Sequence, residues 1–594
     1  MSQIKYSDYF CKSLKDIGYT HCFLLQGGTI MHLVNSASKY FKVIPFLHEH
    51  CATIASEYFN KANKGKKNKS WVLVAAGPGL TNSISAITGA FLESRELLVV
   101  SGQSKTSDLR LHNKNNIRQT GIQQNDGVGI AKKITKFSKT FYSPEKFESI
   151  KKYVSFSFSG RNGPVLFEIP IDIQGKFIKS LKAKKIKNKD TKRIKFAKKK
   201  SEISKLISKS KKISILLGGG IEKKGFSKIK KKLLNTNLAL FTTWNGADLL
   251  AENDKNNFGR PNTWGQRYSN ILLQNSDLLI SIGSSLGIQQ TGFNYQSFMK
   301  RGKLINVDID KNQLNKSFPH SEIKIECDAL EFLNYLIKII DVKTKNRNKL
   351  WIQKCKVIKK LLPTNEKHNN HTGKKFISPY DFYIKISKIL GDSDNICPCS
   401  SGGAETTFFQ SFKFKKNQTC INNKALASMG YGLAGAIGLA LSNPKKRTCL
   451  FEGDGGFTQN LQEIGIAKKN KLNLKIFIFF DNGYASIRLT QKNYFKGKYI
   501  GCDSKTGLMF PNWKNFFKSY GVETFVLPKN FHNNKKFLKF FNDKKLRVFI
   551  VPIDPEQTYF PKISSKILKS GTLSSDSIDN MTPKININFE KILN

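Results

Sequence analysis

One stretch limits the possible folds of this chain more than any other: a strand, a glycine turn, a helix and a second strand follow each other over residues 447–483. The apolar run TCLFE leads into Gly-Asp-Gly at 453–455, FTQNLQEIGIA then has helical spacing, and KIFIFF leads into Asp-Asn-Gly at 481–483. Parallel strands joined by a helix have their carboxyl ends at one edge of a sheet, where such proteins bind ligands. The unit therefore predicts a parallel α/β sheet that brings Asp454 and Asp481 together.

The residue types at this edge indicate its chemistry. Glycines let the backbone approach a phosphate closely, and a helix N-terminus favours anions. A carboxylate there suits Mg²⁺, a hard cation that prefers oxygen ligands and bridges readily to phosphates. Gly-Asp-Gly alone is a weak signal in 594 residues, but Asp481 follows Asp454 by 27 positions and supplies a second oxygen ligand. The spacing predicts a site for magnesium and a phosphate group.

Length and composition indicate a multidomain globular chain. A chain of 594 residues is too long for one core and predicts about three domains, and 39% hydrophobic residues are enough for globular packing. No apolar run reaches the roughly 18 residues of a membrane span, and the N-terminus lacks the apolar region of a signal peptide. The ten cysteines have no metal-ligand or disulfide spacing. We therefore expect a cytoplasmic protein.

The net charge of +56 raises the question of nucleic acid binding. The lysines, however, are spread over nearly the whole chain, and no nucleic-acid-binding signature accompanies them. Runs such as the one at 179–200 have the composition of solvated linker and surface. We therefore expect neither a nucleic acid nor a membrane as a partner.

Alternating strand and helix patterns divide the chain into three α/β blocks. WVLVAA and ELLVVSG are strands of the first block, ISILLGGGI and KLINVDID of the second, and the unit described above belongs to the third. The predicted fold class is α/β, with three parallel-sheet domains. The predicted boundaries are 1–178 (N-terminal domain), 179–205 (basic linker), 206–340 (central domain), 341–375 (linker), 376–555 (C-terminal domain) and 556–594 (polar tail).

The interval between Asp454 and Asp481 resembles the diphosphate and magnesium motif of thiamine diphosphate enzymes. FLHEHCATIASEYFNKA (46–62) looks like the helix that carries the activating glutamate of the acetolactate synthase group, and residues 75–103 are similar to the core strand and helix of that group. NGYASIRLTQKNYFKGKYIG and TYFPKISSKILKSGTL look most like the acetolactate synthase-like proteins (large-subunit type) of surface-polysaccharide pathways. The resemblance covers almost the whole chain and implies pyrimidine-binding, central and diphosphate-binding domains.

The resemblance implies roles for individual residues. Glu49 would exchange a proton with the aminopyrimidine ring of the cofactor, and Gln123 and Gly28 would face the reaction intermediate. Mg²⁺ would bind Asp454, Asp481 and the carbonyl of Gly483. The family usually has Asn where this chain has Asp481, so a slip of one residue that makes Asn482 the ligand stays open. The positions expected to contact thiamine diphosphate are Gly77, Asn82, Ser401, Gly402, Ala427, Met429, Gly453, Asp454, Gly455, Gly456, Gly483 and Tyr484.

The central block departs from the family at its flavin site. In acetolactate synthases this domain binds FAD as a structural group, and the segments GGG, TTWNG and VDID agree with that site. Ser285, Gly287 and Gln289, however, stand where the family carries Arg, Asp and Arg. A buried charge-assisted contact is worth roughly 1.5–3 kcal/mol. The sequence therefore leaves FAD binding open.

Two positions also bear on the substrate. Gln289 lacks the charge with which the family helps to bind the carboxylate of a 2-keto acid acceptor, and Thr490 replaces the Trp that shapes the acceptor pocket. We therefore expect a thiamine diphosphate-dependent carboligase that decarboxylates a 2-keto acid, with pyruvate as the expected donor, and transfers the two-carbon unit to a carbonyl acceptor such as a keto-sugar. Three alternatives stay open: an authentic acetolactate synthase, a thiamine diphosphate-dependent hydrolase or lyase, and a non-enzymatic basic binding protein.

Glu49 and Asp454 fall in different predicted domains. By the resemblance, the site forms between two chains. We therefore expect a homodimer or a dimer of dimers.

Overall fold

The computed structural model describes residues 3–179, 196–316, 318 and 321–593. Three parallel sheets of 6, 5 and 6 strands lie one in each domain, with helices packed on their faces. This arrangement confirms the predicted α/β class with three parallel-sheet domains.

The N-terminal domain contains a six-stranded sheet in the order β3-β2-β4-β5-β7-β6, with every neighbouring pair parallel. A short antiparallel pair, β1 with β8, joins the two ends of the domain. Its elements are β1 (Gln3–Lys5), α1 (Tyr6–Ile17), β2 (Tyr19–Leu24), α2 (Met31–Tyr40), β3 (Lys42–Pro45), α3 (Glu49–Ala62), β4 (Lys69–Val74), α4 (Pro78–Leu92), β5 (Leu97–Gln103), α5 (Thr106–Asn115), α6 (Gly127–Ala131), β6 (Phe137–Thr140), α7 (Phe147–Ser155), β7 (Pro164–Pro170), α8 (Ile171–Gly175) and β8 (Phe177–Lys179).

The central domain is built on a five-stranded parallel sheet in the order β10-β9-β11-β12-β13. Its elements are α9 (Lys200–Lys209), β9 (Ile213–Leu217), α10 (Lys223–Leu234), β10 (Ala239–Thr242), α11 (Arg267–Gln274), β11 (Leu278–Ile282), α12 (Ile288–Thr291), β12 (Lys303–Asp308), β13 (Ser321–Glu326), α13 (Ala329–Ile339), α14 (Val342–Arg347) and α15 (Lys349–Leu361).

The C-terminal domain repeats the six-stranded parallel design in the order β15-β14-β16-β17-β19-β18. Its elements, with those of the chain end, are α16 (Pro379–Ile389), β14 (Asn395–Pro398), α17 (Gly402–Ser411), β15 (Thr419–Cys420), α18 (Tyr431–Ser442), β16 (Thr448–Gly453), α19 (Asp454–Phe457), α20 (Ile464–Lys469), β17 (Leu474–Phe480), α21 (Ala485–Tyr494), α22 (Trp513–Ser519), β18 (Thr524–Val526), α23 (Lys535–Asn542), β19 (Arg547–Pro552), β20 (Ser565–Ile567), β21 (Leu573–Ser575) and α24 (Phe589–Leu593).

Two adjacent strands place the glycine turns at one edge. β16 and β17 pair in parallel, with Gly453 opposite Phe479, so their carboxyl ends lie side by side. Both strands are buried because their residues are apolar on both faces, as expected for a strand covered by helices on each side. The sheet therefore brings the segments after Gly453 and after Phe480 together, as the strand–helix–strand unit predicts.

Helices α3 and α18 join the N-terminal and C-terminal domains within one chain. Gly435 and Gly438 lie on the α18 side of this contact, and a Cβ on Gly435 would lie 2.6 Å from the ring of Tyr58. A Cβ on Gly438 would overlap the carbonyl oxygen of Ala55. Glycine at these two positions therefore allows the helices to pack closely enough to fix the two domains against each other.

Both predicted linkers contain helices, which corrects those parts of the domain prediction. The basic segment 179–205 lies partly outside the described residues, but its end forms the start of α9, in which Ile203 is buried in the central core. The segment 341–375 contains α14 and α15, and Trp351 of α15 is buried. Apolar residues at helical spacing among many lysines provide the buried face in each case.

The predicted polar tail, 556–594, is also structured over its described part. β20 and β21 form an antiparallel hairpin, and the chain then continues along the central domain to α24. Five of the apolar residues here are buried, namely Tyr559, Ile563, Ile578, Met581 and Leu593, whereas Ile567 and Leu568 are exposed. The tail is therefore part of the folded body, and its composition alone conceals this.

Across the described ranges, no helix combines the length and the apolar character that a membrane crossing requires.

Candidate active site

A cavity of about 280 Å³ opens at the carboxyl edge of the C-terminal sheet. Its wall comes from the turn after β14, the segment before α18, the glycine turn after β16 and the turn after β17. The structure thus brings all C-terminal site residues of the sequence prediction into one wall: Ser401, Gly402, Ala427, Met429, Gly453, Asp454, Gly455, Gly456, Asp481, Gly483 and Tyr484.

Asp454 has an unsatisfied oxygen in this wall. Its side chain is 1% exposed, and its Oδ1 accepts a hydrogen bond from the backbone N–H of Gly455 at 2.8 Å. Its Oδ2 is buried and has no hydrogen-bond partner among the described residues. Burial, and secondly the charge of Asp481, raise the pKa of Asp454 well above its usual range. A cation at Oδ2 would satisfy this oxygen and favour the ionised form.

Asp481 lies in the same wall and is held by an arginine. Arg488 donates to Oδ1 of Asp481 at 2.6 Å and to its carbonyl oxygen at 3.1 Å. Burial raises the pKa of Asp481, while the Arg488 charge opposes this shift. The carbonyl oxygen of Gly483 lies 3.6 Å from the position that a Cβ on Gly455 would take. Two carboxylates and one carbonyl therefore converge from the two turns.

Asn482, the alternative ligand, points elsewhere. Its Nδ2 donates to the hydroxyl of Ser504 at 2.9 Å, and the residue does not belong to the described wall of the cavity. In the described ranges, no group of three or more His, Cys, Asp or Glu side chains could hold a metal. A cation here would bind the two carboxylates, the Gly483 carbonyl and oxygens from a ligand or water, which is the usual pattern for Mg²⁺.

The glycine turn leaves room for a ligand. A Cβ on Gly455 would overlap the ring of Tyr484, whereas a Cβ on Gly453 would meet nothing within 4 Å. The Tyr484 ring thus packs directly on the Gly455 backbone, and the open space lies at Gly453, where a phosphate can approach the backbone closely. The unsatisfied Asp454 oxygen, the oxygen donors and this space fit Mg²⁺ and a diphosphate.

The N-terminal site residues gather at the carboxyl edge of their own sheet. Glu49 is the first residue of α3, it is 7% exposed, and its Oε2 accepts a hydrogen bond from Nδ2 of Asn82 at 3.1 Å. Gly77 has a positive φ of 62°, and a Cβ there would lie 2.5 Å from the carbonyl oxygen of Gln123. Gly28 lies in the exposed turn after β2. Close backbone contacts and side-chain hydrogen bonds together hold this loop cluster in place.

Gln123 is exposed, while its neighbour Gln124 is buried. The Oε1 of Gln124 accepts backbone N–H bonds from Thr120 and Gly121, at 3.1 and 2.7 Å, and so shapes the loop. Gln123 has a positive φ of 59° and presents its side chain to the outside. Of the two glutamines, Gln123 is therefore the one available to a ligand.

These two groups do not share a cavity within one chain. Among the described residues, those of the cavity wall all lie between Pro379 and Tyr559. The five N-terminal positions predicted for the site lie outside it: Gly28, Glu49, Gly77, Asn82 and Gln123.

Sequence reasoning missed three residues of this site. Glu452 is buried in the wall beside Gly432 at the start of α18, and burial raises its pKa to about 8. Tyr559, from the chain end, covers Gly403. Arg488 binds Asp481. The acidic residue before Gly-Asp-Gly was visible in the sequence, whereas no motif marks Tyr559 or links Arg488 to Asp481.

A second cavity of about 590 Å³ lies where the three domains meet. Ser285, Gly287 and Gln289 line it with neutral groups. Of its arginines, Arg95 is bound to Glu57 and Arg161 to Asp310, and both are thus engaged within the protein. Its basic residues also include Lys61, Lys64 and Lys424.

The glycine stretch beside this cavity is also engaged. The N–H groups of Gly218, Gly220 and Gly283 donate to carbonyl oxygens of neighbouring strands and turns, at 2.9, 3.0 and 2.9 Å. They are therefore not free to bind the diphosphate of a dinucleotide. These engaged glycines and the neutral segment 285–289 do not fit FAD bound as the resemblance to acetolactate synthases implies.

Three family models match the chain, one for each domain. The N-terminal TPP binding domain, the central domain and the C-terminal TPP binding domain of thiamine pyrophosphate enzymes match residues 4–128, 201–336 and 400–551. The chain therefore belongs to the thiamine pyrophosphate (thiamine diphosphate) enzymes.

Its curated relatives narrow the relationship. The chain is 26% identical over 542 residues to acetolactate synthase 2 of Nicotiana tabacum, a match that covers 87% of this chain and 77% of the relative. It is 25% identical over 551 residues to the large subunit of acetolactate synthase isozyme 1 of Escherichia coli K12, covering 91% and 92%. It is 25% identical over 546 residues to the acetolactate synthase large subunit of Lactococcus lactis, covering 90% of each chain. The protein is thus a thiamine diphosphate-dependent enzyme related to acetolactate synthases at low identity.

Proposed function

We propose that the protein is a carboligase that decarboxylates a 2-keto acid, with pyruvate as donor, and transfers the two-carbon unit to a carbonyl acceptor. The observation that carries this proposal is the cavity wall with an unsatisfied Asp454 oxygen, which fits the metal-bound diphosphate of the cofactor. When bound, thiamine diphosphate supplies the carbanion chemistry that cleaves and forms carbon–carbon bonds next to a carbonyl.

The residues of the C-terminal cavity and those of the N-terminal domain would have different roles. Asp454, Asp481 and the Gly483 carbonyl would hold Mg²⁺, and Met429 and Ala427 would support the cofactor from the segment before α18. Glu49 would move a proton at its carboxylate, oriented by the Asn82 amide. Gln123 and Gly28 would contact the substrate from exposed turns. All these roles depend on joining the two groups of residues.

A second copy of the chain would join them. Among the described residues, those of the cavity wall lie between Pro379 and Tyr559, and a large apolar side chain next to Gln123 in the chain faces outward, with Ile122 85% exposed. Contact between the Glu49 group of one protomer and the Asp454 cavity of the other would cover this surface. We therefore propose a homodimer, or a dimer of dimers, as the active form.

The two positions expected in the acceptor pocket, Gln289 and Thr490, carry no cationic side chain that could bind the carboxylate of an acceptor. Gln289 is neutral, and its carbonyl oxygen accepts a hydrogen bond from the N–H of Thr263. Thr490 is exposed on α21, and its hydroxyl donates to the carbonyl of Ser486. A pocket for a 2-keto acid acceptor would hold the carboxylate with a cation, preferably the fork of Arg. These positions favour a neutral acceptor, and a keto-sugar is the proposed class.

Product analysis tests this proposal. With pyruvate as the sole substrate, the purified enzyme with Mg²⁺ and thiamine diphosphate is expected to release CO₂ slowly and to form little acetolactate. Loss of a charge-assisted bond of roughly 1.5–3 kcal/mol weakens acceptor binding by about 10- to 150-fold. A suitable aldehyde or keto-sugar should accelerate CO₂ release and give an adduct two carbons longer. Rapid, saturable acetolactate formation from pyruvate alone would instead identify an authentic acetolactate synthase.

The flavin requirement has its own test. Because the second cavity lacks the expected charged contacts, the protein purified from riboflavin-supplemented cells should carry less than about one-tenth of a flavin per chain, given roughly 1.5–3 kcal/mol lost per contact. The absorbance near 450 nm measures this directly. Stoichiometric flavin, lost together with activity on stripping, would show that the cavity uses other residues to hold it.

A further inference from the structure

Arg488 occupies an unusual place beside the metal site. It lies in the first turns of α21, it is 4% exposed, and it contacts Asp481 at both its carboxylate and its carbonyl oxygen. Its Nη1 fills the space beside Gly483, where a Cβ would overlap it. The Arg488 guanidinium therefore contacts both proposed cation ligands of the turn after β17, Asp481 and Gly483.

The local charges explain why such a contact matters. Asp454 and Asp481 are both buried, and both line the wall of the same cavity. Two buried carboxylates beside a diphosphate repel the diphosphate as well as each other. With the Arg488 charge included, the three side chains carry one net negative charge, which equals that of a site with a single Asp and a neutral amide. The ion pair joins Arg488 to Oδ1 of Asp481, at 2.6 Å.

We propose that Arg488 is a positioning residue that makes Asp481 usable as a magnesium ligand next to the diphosphate. It neutralises the additional carboxylate, turns Oδ2 towards the cavity and fixes the turn that presents the Gly483 carbonyl. This inference rests on the proposed magnesium site, and it adds the reason why a second carboxylate is tolerated there.

A double-mutant cycle separates this role from simple packing. The proteins are the full-length wild type, Arg488→Met, Asp481→Asn and the double variant. Thiamine diphosphate is titrated into each at saturating Mg²⁺ and followed by intrinsic fluorescence, and thermal unfolding is measured without ligands. The coupling between the two sites in cofactor affinity is the decisive quantity.

Arg488→Met is expected to raise the Kd of thiamine diphosphate by about tenfold or more, because the diphosphate then meets an uncompensated carboxylate. The double variant should return to within about threefold of wild type, since neutral Met and Asn restore the net charge. Asp481→Asn alone should bind the cofactor but melt at a lower temperature, because buried Arg488 loses its charged partner. If the double variant, which lacks the Asp481 carboxylate as well, binds thiamine diphosphate no better than Arg488→Met, then Arg488 has no charge-compensating role.

A matched pair elsewhere in the same domain serves as the control. Arg447 binds Asp394 at 2.7 Å at the amino end of β16, opposite the cavity. Arg447→Met should lower the melting temperature without changing cofactor affinity. If Arg447→Met also loses affinity, the loss of affinity in Arg488→Met is due to general destabilisation. If Arg488→Met does not fold, Arg488→Lys, which keeps the charge, should still bind within about tenfold of wild type. Failure of the wild type to bind thiamine diphosphate would reject the proposed function, whereas an absent rescue rejects only the role of Arg488.

Discussion

Asp454→Ala is expected to abolish magnesium-dependent binding of thiamine diphosphate. The substitution removes the buried carboxylate whose Oδ2 has no protein partner, and with it the bridge between the cation and the diphosphate. A charge-assisted contact is worth roughly 1.5–3 kcal/mol, and Asp481 would then be the remaining carboxylate ligand of Mg²⁺. The affinity for thiamine diphosphate should therefore fall by about 100-fold or more. Isothermal titration with and without Mg²⁺ measures the loss.

Asp454→Asn, which removes the same carboxylate but keeps the shape of the side chain, should not destabilise the ligand-free protein, and this distinguishes lost binding from lost folding. Because the folded-state pKa of Asp454 is raised, its stabilising contribution is present at low pH and is lost as the pH rises through that pKa. At pH values above the ordinary pKa of an aspartate, the buried carboxyl therefore costs folding free energy, and its replacement by a neutral amide relieves that cost. Thermal unfolding of Asp454→Asn without ligands should occur at or above the wild-type temperature. A large decrease would mean that Asp454 is needed for the fold itself.

Asn482→Gly is the control for the second ligand, because Asn482 has a positive φ of 57°, which glycine adopts without the strain that alanine would bring. The Asn482 side chain bonds to Ser504 and does not belong to the described cavity wall, so its loss should leave cofactor affinity within about threefold. If Asn482→Gly destroys binding while Asp481→Ala does not, the second metal ligand lies one residue later than proposed.

The C-terminal wall was predictable because its geometry is local. A strand, a turn, a helix and a parallel strand force the residues after β16 and β17 to one edge, whatever the rest of the chain does. Gly453, Asp454 and Asp481 could therefore be assigned from spacing, and the resemblance supplied the remaining positions. The alternation of strands and helices likewise gave the three parallel sheets.

The parts that sequence reasoning missed depend on distant contacts. Tyr559 reaches the wall from a chain end with little apolar content, since the central domain rather than local pattern holds that end. The described parts of the two segments predicted as linkers are helical because a few apolar residues among many lysines pack on a nearby core. The Arg488–Asp481 pair requires the precise start of α21, which the sequence does not define. Amino-acid composition predicts such segments poorly, because a small apolar face is enough to pack a helix on a core.

Glu49→Gln is expected to leave cofactor and magnesium binding intact while turnover falls by roughly 10²–10⁴, the usual contribution of general acid–base catalysis. Glu49 is buried at the start of α3, and its Oε2 accepts a hydrogen bond from Asn82. A Gln side chain has nearly the same shape, and its amide oxygen can still accept that bond, but it cannot take up a proton near neutral pH. Release of CO₂ from pyruvate measures turnover, and fluorescence titration measures cofactor affinity.

Two further variants make this result specific to the carboxylate. Asn82→Ala keeps the acid but removes the amide that orients it, so turnover should fall by only about fivefold, which corresponds to the roughly 1 kcal/mol of an ordinary hydrogen bond. Glu49→Asp keeps the charge but shortens the reach, and its activity should lie between wild type and Glu49→Gln. The order wild type, Asn82→Ala, Glu49→Gln would separate proton transfer from orientation. Near-normal turnover in Glu49→Gln would remove Glu49 from the mechanism, because a site that works with an amide at this position has no need of its proton.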